Sequence, residues 1–318
     1  MHAAVVTSFD HPPTFSEFPA PVPEGPDQLL VDVLAAGLHP RVRSQANGSH
    51  YTSTDQLPLI PGIDGVGRDA DGNLRYFILF DSPYGAMAQQ TLIDPRRSVV
   101  LPADADPVPL AAAMNPAMSS WVALRRRTAF TPGQSVLVLG ATGSAGRMAV
   151  QVAKHLGAAR VVAAGRDPRA LAELPAIGAD TVVSIAGPAT EAADRLAAAA
   201  ADTDVVLDYV WGEPTAAAMA AIVTGRADRA KPLTWIEIGS VGGREALIPS
   251  AALRASRLQI IGSGQGSVPT ADIAAELPAL AERIAAGDFA VNARAVPLSE
   301  VEKSWDDSGD GKRVVFVP

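Results

Sequence analysis

The sequence predicts an α/β fold in which a doubly wound parallel sheet is joined to a β-rich, partly barrel-like domain. Three observations support this prediction. Residues 135–158 contain an apolar segment, a glycine-rich turn and an amphipathic segment in succession. From about residue 110, apolar segments of strand length alternate with helical segments, which is typical of a parallel sheet. The first hundred residues instead contain short apolar segments separated by proline-rich turns.

The β-rich part of the chain is expected to consist of short strands. Six prolines between residues 12 and 26 keep the first connections irregular, because proline fixes φ and lacks an amide donor. Apolar runs predict strands at residues 3–8, 28–36, 75–80, 87–93 and 99–101.

The parallel sheet is expected to contain six strands separated by helices. These strands are predicted at residues 136–140, 161–165, 182–185, 205–210, 235–239 and 258–262. A last strand at 314–317 follows a turn at 308–311 that is rich in glycine and aspartate, so we expect the chain to end in the β-rich domain.

The glycine-rich turn after the first of these six strands predicts a dinucleotide site of the Rossmann type. Such a site needs one glycine for the tight turn, one where the backbone approaches a pyrophosphate, and one where the helix packs on the sheet. A purely structural turn is the alternative. The expected cofactor-binding residues of the turn are Gly140, Thr142, Gly143, Ser144, Ala145 and Gly146.

The residues after the second strand of this sheet favour NADPH over NADH. NAD-specific sites carry an acidic residue there, whereas this chain has Gly165 followed by Arg166. Glycine leaves room for a 2'-phosphate, and arginine can bind it through a charge-assisted pair. Asp167 precedes Pro168 and a helical segment, so we interpret it as a helix N-cap. The alternative for Arg166 is a solvated surface charge.

Composition narrows the function classes. The chain has 318 residues and a net charge of −8, which argues against a nucleic-acid or anionic-membrane partner. Cysteine is absent, which excludes disulfides and thiolate metal ligands, so no metal site is expected. The first residues do not resemble a signal peptide, and no apolar run has the length of a membrane span. We expect a cytoplasmic enzyme.

Several segments together resemble the medium-chain dehydrogenase/reductase superfamily, and the glycine motif at 140–158 is similar to that of its zinc-independent quinone oxidoreductase, or zeta-crystallin-like, branch. Further matching segments are 59–67, 204–208 and 311–315. The resemblance implies a GroES-like catalytic domain at 1–118, a Rossmann NADP-binding domain at 119–265 and a return to the catalytic domain at 266–318. It also implies a homodimer that pairs near residues 258–261.

The resemblance suggests two catalytic candidates. Zinc-dependent members hold their metal with a cysteine where this chain has His39, after Gly37 and Leu38. His39 would therefore lie near the nicotinamide and could donate a hydrogen bond or a proton to the substrate, or it could be only a turn residue before Pro40. Tyr51 is a second candidate donor, with a plain surface or core aromatic as its alternative.

Loops at the carboxyl ends of the later strands are expected to hold the nicotinamide. The family uses backbone groups there, and Ser119 matches a small residue near the pyrophosphate or nicotinamide, with a helix cap as its alternative. Arg41 and Arg43 could bind an acidic or thioester substrate, but we interpret them as surface charges on a solvated face. Lys312 and Arg313 could reach the adenosine phosphate, but we interpret them as surface charges of a turn. The expected loop residues are Gly239, Ser240, Val241, Gly262 and Ser263.

The expected reaction is hydride transfer from NADPH to an electron-poor acceptor, such as a quinone or an α,β-unsaturated carbonyl, without a metal. The sequence differs from the pattern of this branch at several positions, including His39, where asparagine is common. The identity of the substrate therefore stays open. Two alternatives are an enoyl-thioester reductase and a non-catalytic NADPH-binding protein. Turnover with a quinone, an enal and an enoyl thioester would separate these hypotheses.

Overall fold

The fold is described from a computed structural model that covers residues 1–49, 53, 56–79, 82–307 and 311–318. The chain divides into two compact units. Unit 1 contains Met1–Asn115 and Ala274–Pro318, and unit 2 contains Pro116–Ile273. The divisions predicted after residues 118 and 265 differ from these bounds, because residues 116–118 and 266–273 belong to unit 2.

The elements of the first half, in chain order, are mostly short strands. They are β1 (His2–Val5), β2 (Thr14–Glu17), β3 (Leu29–Gly37), α1 (Pro40–Ala46), β4 (Asp64–Asp69), β5 (Leu74–Ile78), β6 (Gln90–Ile93), β7 (Ser98–Val100) and α2 (Pro107–Val122). A π-helical turn, Ala123–Arg127, extends α2.

The remaining elements alternate between strand and helix before the chain returns to unit 1. They are β8 (Ser135–Leu139), α3 (Ser144–His155), β9 (Arg160–Gly165), α4 (Pro168–Glu173), β10 (Thr181–Ser184), α5 (Ala189–Ala200), β11 (Val205–Asp208), α6 (Gly212–Gly225), β12 (Leu233–Glu237), α7 (Ser250–Arg254), β13 (Leu258–Gly262), α8 (Thr270–Ala285), β14 (Ala293–Pro297), α9 (Val301–Ser304) and β15 (Arg313–Val317).

Unit 2 is built on a parallel sheet with the strand order β10-β9-β8-β11-β12-β13. The order reverses between β8 and β11, which is the doubly wound arrangement that places ligands at the carboxyl ends of the strands. The central strands are apolar throughout because helices cover both faces of such a sheet, and Val136, Leu137 and Val138 are fully buried. The α/β prediction is confirmed, with every strand of this sheet within two residues of its predicted bounds.

Unit 1 is organised around β3. This strand pairs antiparallel with β4 on one edge, and with β6 and then β15 on the other edge. Its buried residues alternate at first, with Val31 and Val33 on the core side, as a half-buried strand requires. The sheet continues through β4 to β5 and β7, and through β15 to β14, while β1 and β2 form a separate antiparallel pair.

Strand β4 was not among the predicted strands, because its two glycines lower the strand propensity of the segment. Both glycines allow the backbone of the paired strand β3 to approach closely. A Cβ at Gly65 would lie 2.9 Å from the Ala35 carbonyl oxygen, and one at Gly67 would lie 2.7 Å from that of Asp32. β2, β14 and α1 were also not predicted. Among the described residues, the structure contains no helix long and apolar enough to cross a membrane.

Candidate functional site

The glycine turn between β8 and α3 begins with a residue that only glycine suits. Gly140 has φ = +85°, in the left-handed region that side chains disfavour. The amides of Gly140 and Ala141 both donate to the Ala164 carbonyl, at 3.0 and 2.8 Å. The turn is therefore tied to the end of β9 immediately after β8 ends.

The third glycine of the turn lies where α3 meets the sheet. A Cβ at Gly146 would collide with the Gly140 carbonyl oxygen and would lie 2.6 Å from the Ala141 Cα. Both are backbone atoms, so the first turn of α3 packs directly on the glycine turn. Gly146 thus serves packing within the protein.

Gly143 is different, because nothing in the described part of the chain requires glycine there. Its φ of −76° is ordinary for any residue, and a Cβ would meet only the Gly140 carbonyl oxygen, at 3.6 Å. Gly143 is the N-cap of α3 and has no side chain to accept from the helix amides. The first amides of the helix, Ser144–Gly146, lack partners within it and carry the positive end of the helix dipole.

These properties fit the pyrophosphate of a dinucleotide. A helix N-terminus with uncapped amides attracts phosphate, and a glycine N-cap leaves space for the phosphate oxygens. Gly140 serves the turn and Gly146 serves packing, as predicted, and Gly143 stays the predicted position for the approach of a ligand.

The end of β9 is shaped by a contact with the glycine turn. A Cβ at Gly165 would lie 2.9 Å from the Thr142 hydroxyl oxygen. The Thr142 side chain therefore occupies the space in which an acidic side chain at 165 would begin. An NAD-type carboxylate at this position would require Thr142 to move.

Arg166 is exposed and makes no hydrogen bond or ion pair with any residue that the structure describes. Asp167 is the N-cap of α4, with Pro168 in the first turn, and its carboxylate accepts from the Arg169 amide at 2.9 Å. The interpretation of Asp167 as a helix cap is confirmed. Asp167 has a structural task, whereas the Arg166 guanidinium is available to a ligand.

A buried carboxylate organises the carboxyl end of β11. Asp208 is fully buried and accepts from the amides of Val210 and Trp211 at 2.8 and 3.0 Å. Its second oxygen accepts from the Thr215 hydroxyl at 2.7 Å and the Trp235 indole at 2.9 Å. Four donors satisfy this carboxylate, so it acts as a structural anchor.

Some backbone groups of the loops expected to hold the nicotinamide already form hydrogen bonds within the protein. The Gly239 amide donates to the Asp208 carbonyl at 3.1 Å, and the Ser263 amide donates to that of Glu237 at 2.8 Å. The Gly262 carbonyl accepts from the Arg127 guanidinium at 2.8 Å. Burial, together with nearby Asp208, raises the pKa of the Glu237 carboxyl above its ordinary value.

Ser119 lies within α2 and is not a helix cap, contrary to the alternative considered for it. Its hydroxyl lies 2.7 Å from the Pro116 carbonyl, to which it donates, and 2.9 Å from the Tyr209 hydroxyl. Burial raises the pKa of Tyr209 to about 12, although the hydrogen bond with Ser119 works in the opposite direction. The pair is therefore neutral.

In unit 1, His39 belongs to a buried network that the sequence did not reveal. Its Nε2 lies 3.0 Å from Asp64 Oδ1, and the Tyr76 hydroxyl donates to Asp64 Oδ2 at 2.8 Å. His39 is 4% exposed, Asp64 1% and Tyr76 fully buried. His39 is the N-cap of α1, with Pro40 as the first helical residue.

The network fixes the tautomer of His39. A carboxylate only accepts, so the proton between the two groups belongs to Nε2 of the imidazole. Among the described residues, nothing bonds to the other ring nitrogen, Nδ1. Burial lowers the pKa of His39 below 6.5; contact with Asp64 raises it in part, while Arg313 and Arg41 lower it further. The neutral ring then offers Nδ1 as an acceptor.

The surface-charge interpretation is wrong for two arginines. Arg313 is buried in β15 and donates to the Leu38 carbonyl at 3.3 Å. Burial lowers its pKa to about 10, partly offset by Asp64. Arg43 lies on α1 and donates to the Trp305 carbonyl through Nε and Nη2, at 3.0 and 2.7 Å. Both hold unit 1 together. Tyr51, the second catalytic candidate, lies outside the described residues.

Asp64 and Asp208 are the site residues for which sequence reasoning gave no role. Asp208 is the one charged residue of the apolar strand β11, and an isolated charge in a buried strand is a signal for a hydrogen-bonded carboxylate. Asp64 gives no such signal, because β4 also contains Arg68 and Asp69. No group of three or more His, Asp or Glu side chains that could hold a metal ion is found within the described ranges.

Unit 2 is a doubly wound parallel sheet with this glycine turn, and unit 1 is a mostly antiparallel β unit built from both ends of the chain. This combination is the architecture of the medium-chain dehydrogenase/reductase class. The comparisons with known proteins agree. Residues 145–284 match the family described as zinc-binding dehydrogenase. A probable NADPH-dependent quinone reductase of Emericella nidulans is 32% identical over an alignment 363 positions long, which covers 100% of both chains.

Solved structures give the same result. The quinone oxidoreductase of Thermus thermophilus, also solved with NADPH, superposes with a TM-score of 0.83 and 26% identity, covering 100% of both chains. A probable oxidoreductase from Mycobacterium abscessus has a TM-score of 0.80 and 26% identity, covering 100% of this chain and 99% of that chain. The chain belongs to the medium-chain dehydrogenase/reductase superfamily, in its quinone oxidoreductase-like branch.

Proposed function

We propose that the protein is an NADPH-dependent reductase that transfers hydride to an electron-poor acceptor, such as a quinone or an α,β-unsaturated carbonyl. The observation that carries the proposal is Gly143. The fold does not need glycine there, yet the residue caps a helix whose first amides have no side-chain cap. A ligand phosphate could accept hydrogen bonds from these amides in the space that a side chain at position 143 would fill.

The preference for NADPH rests on two features at the end of β9. Position 165 holds glycine instead of the acidic residue that would bind the ribose hydroxyl of NADH, and a side chain there would require Thr142 to move. Arg166 is exposed and has no partner within the described part of the chain. Its guanidinium can bind a 2'-phosphate through two parallel hydrogen bonds.

The nicotinamide is proposed to lie against the loops after β12 and β13. Gly239, Ser240, Val241, Gly262 and Ser263 would contact it through backbone groups that the protein leaves free. Ser119, which pairs with Tyr209 in the same unit, is proposed as a neighbour of the cofactor. NADPH bound in this way would supply the hydride.

His39 is proposed to handle the proton that follows the hydride. Protonation at Nδ1 gives an imidazolium that Asp64 stabilises from the opposite nitrogen, at 3.0 Å. That imidazolium can donate to the acceptor oxygen and return to the neutral ring. Tyr76 positions Asp64 from the other side. Tyr51 stays a proposed second donor. In this proposal, unit 1 is the substrate domain and unit 2 is the cofactor domain.

We further propose a cytoplasmic homodimer that binds a small electron-poor carbonyl substrate, and neither nucleic acid nor membrane. Support for the dimer comes from β13, the last strand of the parallel sheet, whose outer edge has no strand partner in the described ranges. Unpaired strand edges favour pairing with another chain. Light scattering after size exclusion should give twice the chain mass of 32.8 kDa, and a monomer would contradict the dimer.

A single panel of acceptors tests the enzymatic proposal. Oxidation of NADPH is followed at steady state with a quinone, an enal and an enoyl thioester in parallel. Turnover with the quinone or the enal supports the proposal. Turnover with the thioester alone would favour an enoyl-thioester reductase, and NADPH binding without any turnover would favour a non-catalytic protein.

A further inference from the structure

Trp211, directly after the end of β11, has a backbone conformation that normally requires glycine. Its φ is +54° and its ψ is −166°. Within the described part of the chain it is the one residue other than glycine with a positive φ. Such conformations are costly for side chains and persist where the surroundings impose them, often at functional sites.

The surroundings that impose this conformation are visible. The Trp211 amide donates to the buried Asp208 carboxylate at 3.0 Å. On its other side, the loop after β12 packs backbone to backbone: the Gly242 amide donates to the Val210 carbonyl at 2.6 Å. A Cβ at Gly242 would lie 2.8 Å from the Trp211 carbonyl oxygen. Trp211 is therefore held against the loop that contains Gly239, Ser240 and Val241.

The indole of Trp211 does not serve the hydrophobic core in the way the other tryptophans do. Trp121, Trp235 and Trp305 are 3%, 0% and 5% exposed, whereas Trp211 is only partly buried. The Trp235 indole donates to Asp208, but the Trp211 indole has no hydrogen-bond partner among the described residues. A strained backbone thus holds a partly exposed indole whose N–H has no hydrogen-bond partner among the described residues.

The position of Trp211 in the sheet indicates what the ring contacts. A dinucleotide crosses the carboxyl edge of a doubly wound sheet at the point where the strand order reverses, here between β8 and β11. The residues for the adenosine 2'-phosphate follow β9, on one side of that point. The other half of the dinucleotide then lies over the ends of β11 and β12, where Trp211 is found.

We propose that Trp211 packs against the nicotinamide nucleotide half of NADPH and so contributes to cofactor binding. The inference rests on the proposed function, because it assumes a bound dinucleotide. An indole offers a broad flat face for a planar ring, and its free N–H can donate to a ribose or carboxamide oxygen. Asp208 is the positioning residue that keeps the ring in place.

Two substitutions separate the ring from the backbone. Trp211→Gly removes the ring and relieves the strained conformation, whereas Trp211→Ala removes the ring and keeps the strain. We expect both to weaken NADPH binding by roughly tenfold or more, the usual effect of losing one stacking contact. The glycine variant should melt at a higher temperature than the alanine variant, by about 2–4 °C or more.

A truncated ligand identifies the half of the cofactor that Trp211 contacts. Binding is measured by calorimetry with NADPH and with adenosine 2',5'-bisphosphate, which lacks the whole nicotinamide nucleotide half. The fragment should bind wild type, Trp211→Gly and Trp211→Ala equally well. Trp211→Phe, which keeps an aromatic ring, should bind NADPH within about threefold of wild type.

The outcomes that overturn the inference differ from those that overturn the proposed function. Failure of the wild-type protein to bind NADPH would refute the function itself. Normal NADPH binding by both ring-less variants would refute the role of Trp211 alone. Equal losses for NADPH and the fragment would also refute it, since the substitution would then have disturbed the whole site.

Discussion

Gly143 offers a substitution that separates ligand binding from folding. Replacing it by valine places a branched side chain where the backbone is expected to approach the pyrophosphate. The described part of the chain has room for the first carbon of that side chain, because a Cβ at this position meets only the Gly140 carbonyl oxygen there, at 3.6 Å. Its φ of −76° is also acceptable to valine.

The expected change in stability is small. Replacing glycine in a compatible conformation stabilises a protein by about 0.4–1 kcal/mol, because the unfolded chain becomes less flexible. Valine is a poorer N-cap than glycine by a similar amount, so the two effects largely cancel. Thermal melting of Gly143→Val should therefore resemble that of wild type.

The expected change in binding is large. Each hydrogen bond to a charged partner contributes about 1.5–3 kcal/mol. If valine keeps the phosphate from two of the helix amides, the loss is about 3–6 kcal/mol, or roughly 10²- to 10⁴-fold in Kd. Calorimetric titration with NADPH measures this directly.

Gly146→Ala is the matched control. Its Cβ would lie 2.6 Å from the Ala141 Cα, so overpacking should lower stability by about 1–3 kcal/mol. Unchanged NADPH affinity in Gly143→Val would refute the assignment of the phosphate site. Unfolding of Gly143→Val would refute the claim that the fold tolerates a side chain there.

Three further predictions concern cofactor choice, proton transfer and metal. Arg166→Ala should weaken NADPH roughly ten- to a hundredfold and scarcely affect NADH, with a smaller effect at high salt; equal losses for both cofactors would contradict this. Burial lowers the pKa of His39 below 6.5, so the neutral ring predominates near pH 7. The imidazolium fraction rises as pH falls, and kcat/KM should therefore increase towards acid pH. His39→Gln should abolish that dependence, and an unchanged pH profile would remove His39 from proton transfer. The chain lacks cysteine, so elemental analysis should find no stoichiometric zinc, and chelators should leave activity unchanged; one zinc per chain, lost together with activity, would overturn this.

The elements of the fold that could be predicted from the sequence are those determined by the local pattern of apolar and turn residues. The strands of unit 2 are short apolar runs between helices, and their positions were predicted to within two residues. The N-cap role of Asp167 also followed from local chemistry, since proline and a helical segment come directly after it. The turn role of Gly140 and the packing role of Gly146 needed only the order of strand, turn and helix.

The parts that did not follow depend on contacts between distant residues. His39 and Asp64 are 25 positions apart, and no local pattern indicates that they pair. Arg313 is interpreted from sequence as a turn charge because it follows the turn at 308–311, but it is buried in β15, which pairs with β3. Tertiary pairing decided its environment. The strained backbone of Trp211 likewise depends on Asp208 and on a loop some thirty positions further along the chain.

The central claim is that this protein passes hydride from NADPH to an electron-poor acceptor. Deuterium placed on the transferable position of the nicotinamide ring tests it most directly, with an α,β-unsaturated carbonyl as the acceptor. Mass spectrometry and NMR of the product should show one deuterium at the β carbon, with the α hydrogen drawn from solvent. A reduced product without deuterium, or no NADPH oxidation with any quinone or enone, would contradict the account.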